Sequence, residues 1–161
     1  MGDVNVNNTE LEYMKLQRIR HELQDYRYHC LRKKWLNEKI EELDIKLDGQ
    51  IPALKTGEGS GGGSTEGNWI ISAIAERDEL KSLRKEIERH IEIVDAWLSL
   101  IERCLGKETM CILSHYAIME GYENADNAVD LLKLKSKRTL YRIVARAEGC
   151  ILENLKNFKN F

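Results

Sequence analysis

Two long runs of apolar residues at helical spacing constrain this chain more than any other feature. In one, Leu80, Leu83, Ile87, Ile91, Val94, Leu98, Ile101 and Leu105 recur every three or four residues, close to a heptad seam. In the other, Leu16, Ile19, Leu23, Tyr26 and Cys30 are followed, after a slip, by Leu36, Ile40, Leu43 and Leu47. A stripe of this length must bury against another helix. The expected helices, Thr9 to Leu47 and Trp69 to Leu105, have 39 and 37 residues, about 55–60 Å each at 1.5 Å per residue. Matched lengths predict a coiled-coil-like antiparallel hairpin over residues 1–105. The competing arrangement pairs each stripe with a second copy of the chain, a homo-oligomer through the coiled coil.

Between the two stripes, residues 48–68 hold the single proline and seven of the eleven glycines. Such a segment buries too little apolar surface to offset the entropy of ordering, and it reads as a Gly/Ser-rich linker. Gly106 breaks the second stripe, and shorter amphipathic periods follow. Met110, Leu113 and Ala117 mark one short helix that Gly121 stops; Asn124 is placed to cap a second with Ala125, Ala128, Val129 and Leu132. Ser136 then caps a third carrying Leu140, Ile143, Val144, Ala147, Ile151 and Leu155. The fold class is all-α, with a second domain over residues 106–161.

Charge is distributed unevenly. Residues 1–56, 57–130 and 131–161 carry 0, −8 and +6 in a chain of net charge −2. Lys133 to Ala147 holds six cations, Lys133, Lys135, Lys137, Arg138, Arg142 and Arg146, and no carboxylate. On a helical wheel Arg138, Arg142, Ala145 and Gly149 lie opposite the apolar stripe, flanked by Tyr141 and Arg146. A solvated face would be expected to mix in Glu. Arginines beside tiny residues form a ridge that fits the roughly 12 Å major groove of B-DNA, where Arg bonds guanine bidentately. Lys133, Lys135 and Lys137, in or beside the turn, are placed for phosphates. The candidate DNA-binding residues are therefore Lys133, Lys135, Lys137, Arg138, Tyr141, Arg142 and Arg146.

The segment from Gly121 to Leu155, with Ser136, Thr139, Leu140, Tyr141 and Arg142 opening its last helix, resembles the helix-turn-helix of sigma-factor region 4. The whole layout is similar to phage late-gene transcriptional regulators of the ArpU and RinA kind. It departs from the region 4 pattern in having no glycine in the turn. The resemblance implies a phage or prophage DNA-binding regulator in the bacterial cytoplasm, at the nucleoid. It meets double-stranded DNA through the C-terminal helix and RNA polymerase or a second subunit through the coiled coil. The competing function is a helical scaffold or assembly protein whose basic end binds an acidic protein partner.

Other chemistries are not assembled in the sequence. Cys30, Cys104, Cys111 and Cys150 lack zinc spacing and read as small apolar residues, with Cys30 the one expected to be partly exposed. His21, His90 and His115 read as isolated, so no catalytic residues, metal or cofactor are expected, and no enzyme. Trp35, Trp69 and Trp97 read as structural anchors. No apolar run is long enough to cross a membrane.

Overall fold

The structure, a computed structural model, describes residues 2–55 and 63–156, with side chains described over 9–49 and 67–155. Among the described residues it is all-helical: α1 (Gly2–Lys55), α2 (Gly63–Leu105), α3 (Lys107–Leu113), a π-helical segment (Ser114–Met119), α4 (Ala125–Leu131) and α5 (Lys137–Lys156). Helix thus occupies both flanks of the 48–68 segment read as a linker, and residues 56–62 lie outside the described residues. No helix among the described residues is long and apolar enough to cross a membrane.

The chain divides into two compact units, residues 29–89 and residues 1–28 with 90–161. The sequence reading places its boundary at 105/106 instead. The difference has a physical cause: Ile19 and Leu23 of α1, and Val94, Trp97 and Ile101 of α2, share one core with α3 to α5.

In the 29–89 unit the apolar stripes are buried at Leu36, Ile40 and Leu47 on α1 and at Ala73 and Ile87 on α2. Polar bonds cross beside them. Lys33 lies 3.7 Å from Glu88, Arg84 donates to the Asn37 side chain at 3.0 Å, and Arg77 pairs with Asp44 at 3.1 Å. As numbers rise on α1 they fall on α2, so over this stretch the helices run antiparallel. Two of the three expected anchors fail here. Trp35 and Trp69 are exposed; Trp35 lies off the buried stripe and offers its ring to the Lys39 ammonium, 6.0 Å from its centroid.

In the other unit Trp97 is buried, a member of the same core as Ile101, Leu113, Leu140 and Ile151. Gly106, at φ 98°, ends α2 in a conformation that a Cβ would strain. The expected helix after it is not uniform. Past Leu113 the backbone widens, and the Glu120 N–H reaches the His115 carbonyl five residues back at 3.0 Å. The wider turn lets three successive residues, Tyr116, Ala117 and Ile118, all be buried.

Candidate nucleic-acid interface

The turn between α4 and α5 is built by two local devices. Ser136 is the cap its position predicts: its Oγ accepts the Thr139 N–H at 3.2 Å, satisfying a donor that α5 itself leaves open. Asn124 does not cap α4 with its side chain. It sits in the left-handed region at φ 54°, and its amide donates instead to Glu120 at 3.2 Å.

The end of α4 is closed by a Schellman arrangement. The Leu134 N–H bonds the Val129 carbonyl at 3.0 Å, and the Lys133 N–H bonds the Asp130 carbonyl at 3.3 Å. Such a cap requires a left-handed residue, normally glycine. Here Lys133 takes it, at φ 54°, a conformation that costs an L-residue roughly 1–2 kcal/mol. Lys133→Gly should therefore raise thermal stability by about 0.5–1 kcal/mol after the extra chain entropy of glycine is deducted. A lower melting temperature in that variant would show that the Lys133 side chain contributes more than its backbone costs.

All seven candidate residues are exposed. Lys137 pairs with Asp126 at 3.2 Å, and Tyr141 packs edge-on against Tyr116, ring centroids 6.2 Å apart. Lys133, Lys135, Arg138, Arg142 and Arg146 have no ion-pair partner among the described residues. Lys137 and Arg138 stand in the first turn of α5, which contains no acidic residue. The positive end of the helix dipole disfavours cations there, by about 0.3–1 kcal/mol each at an exposed site. Lys137 has Asp126 to offset this, whereas for Arg138 no ion pair among the described residues does.

Compared with protein-family models, with curated proteins and with solved structures, the chain matches none. The site's chemistry has to be read from its own residues.

What sequence reasoning missed is the anchor behind the exposed ridge. Glu148, on the same flank of α5 as Tyr141, is 2% exposed. Arg20 of α1 grips it with two hydrogen bonds, Nε to Oε2 at 2.7 Å and Nη2 to Oε1 at 3.2 Å, and Tyr122 donates its hydroxyl to Oε2 at 3.0 Å. The guanidinium also lies 5.7 Å from the Tyr122 ring centroid. Glu148 holds Arg20 protonated to higher pH than an ordinary arginine. The one sequence signal was a carboxylate interrupting a basic helix; nothing in the sequence pointed to Arg20.

Burial, and the Glu148 carboxylate beside it, push the Tyr122 hydroxyl well above the usual tyrosine range. Its stabilisation is complete below the unfolded-chain value of about 10 and is lost as pH rises beyond it, because the unfolded chain then releases a proton that the folded one keeps. Unfolding followed across alkaline pH should show stability falling, and falling less steeply in Tyr122→Phe. Identical slopes would mean that Tyr122 ionises freely in the folded protein.

Two smaller expectations also need correcting. Cys30 is partly exposed as expected, but Cys104 and Cys111 are more exposed than it is. His90 is not isolated: its Nδ1 lies 3.0 Å from Glu22.

Proposed function

We propose that this chain is a sequence-specific DNA-binding regulator of transcription. In this reading α1 and α2 form the coiled-coil-like hairpin, α4 and α5 form a helix-turn-helix, and α5 enters the major groove. One observation carries the proposal: Arg138, Arg142 and Arg146 stand exposed on α5, with Lys133 and Lys135 at its approach, and no ion pair among the described residues neutralises any of the five. An arriving polyanion would relieve both their mutual repulsion and the unfavourable dipole at the head of α5.

The resemblance to phage late-gene regulators makes promoter DNA the target and RNA polymerase or a second copy the further partner. Selection of duplexes from a random pool tests the function. The expected result is enrichment of one motif, with log affinity falling linearly against log salt. Absence of duplex binding at low salt, together with capture of an acidic polypeptide, would replace this function by the scaffold reading.

A further inference from the structure

A cleft of about 490 Å³ lies between α1 and α5 inside the unit that carries the basic helix. Gln17, Arg20, His21 and Gln24 form its α1 wall, and on α5 it begins at Tyr141 and Ala145. Ala145 belongs also to the exposed ridge, one turn on from Arg142. The cleft therefore borders the arginine ridge at Ala145.

Its chemistry suits an anion. Of the residues lining it, Glu148 is the one carboxylate, and its oxygens are already taken by Arg20 and Tyr122. Arg20 spends two of the five guanidinium N–H donors on Glu148. The others remain, on a side chain 37% exposed. Gln17, His21 and Gln24 lie on one helical face of α1 with Arg20 beside them, and the carboxylate of that helix nearest this face, Asp25, stands exposed one turn beyond His21 and outside the cleft lining. Amide and imidazole donors, one arginine with N–H groups to spare and tyrosine sides, with the lining carboxylate already paired, fit a phosphate carried between sugars.

We infer that this cleft holds a phosphodiester of the same duplex that α5 reads, with Gln17, His21 and the remaining Arg20 donors contacting it. The inference rests on the DNA-binding reading and extends the interface from α5 to α1. The base-reading helix would then be clamped to the duplex from one flank by a helix that the sequence assigns wholly to coiled-coil packing. Such a contact adds affinity without sequence choice.

The test places charge at the cleft wall in the full chain. Gln17→Glu with His21→Glu sets like charges against the phosphate and should weaken preferred and random duplexes equally, by roughly tenfold or more. Gln17→Lys should tighten both and steepen the salt dependence by about one unit of slope, a gain that misfolding does not imitate. If both variants bind as the parent does while Arg142→Ala weakens the preferred duplex, the cleft assignment falls and the DNA reading stands. If Arg142→Ala is also without effect, the DNA reading itself fails and takes the inference with it. Inorganic phosphate provides the remaining arm. Chemical-shift changes at His21 on adding it, with duplex affinity unmoved in the charge variants, would mark a site for free phosphate and overturn the duplex assignment.

Discussion

Arg20→Ala should destabilise the protein by about 3 kcal/mol, visible as a melting temperature lower by roughly 6–12 °C. The reason is the state in which it leaves Glu148. That carboxylate is 3% exposed at its side chain, and without Arg20 it would keep the Tyr122 hydroxyl and lose both charged donors. Removing one partner of a buried pair typically costs about 3–5 kcal/mol, most of it the desolvation of the charge left behind. The lower end applies because Arg20 is itself 37% exposed, so water can follow it out. Replacing both partners, Arg20→Leu with Glu148→Leu, should cost less than Arg20→Ala alone, since no charge is then stranded. An unchanged melting curve for Arg20→Ala would mean that water already solvates Glu148. The arginine would then be ornament.

Arg138→Ala with Arg142→Ala should nearly abolish discrimination between preferred and random duplexes. A bidentate arginine–guanine contact is worth about 1–3 kcal/mol of discrimination, so two such contacts give about 2–6 kcal/mol if they add. Both side chains are exposed, and neither has an ion-pair partner among the described residues, so the fold should survive. Lys133→Ala and Lys135→Ala should behave differently, weakening both duplexes alike and lowering the slope of log affinity against log salt by about one for each phosphate no longer neutralised. Titrations of these variants at several salt concentrations separate the roles. Equal weakening on both duplexes for the arginine pair would demote Arg138 and Arg142 to backbone contacts.

Much of the architecture could be read in advance because it depends on spacing along the chain. Ile87, Val94 and Ile101 are buried where the heptad seam puts them. Gly106 breaks α2 for a reason written in one residue, its lack of a Cβ, and Ser136 caps α5 through a bond to a residue three positions away. The exposed cationic face of α5 likewise follows from 3.6-residue periodicity alone.

Other features depend on which elements meet, and periodicity is silent about that. Arg20 and Glu148 are 128 positions apart, and an arginine on a coiled-coil helix is indistinguishable in sequence from a solvated one. Only the packing of α1 against α5 makes it the counter-ion of a buried carboxylate, and only that packing opens the cleft between Gln17 and Tyr141. The same holds for the backbone. Nothing local demands a π-helical widening at Ser114–Met119 or a left-handed Lys133. Core burial of Tyr116 to Ile118 favours the first, and closure of α4 onto the turn holds the second. Short-range covalent geometry and the hydrophobic pattern thus decide the helices and their faces, while long-range burial of polar and strained groups decides how the basic helix is mounted.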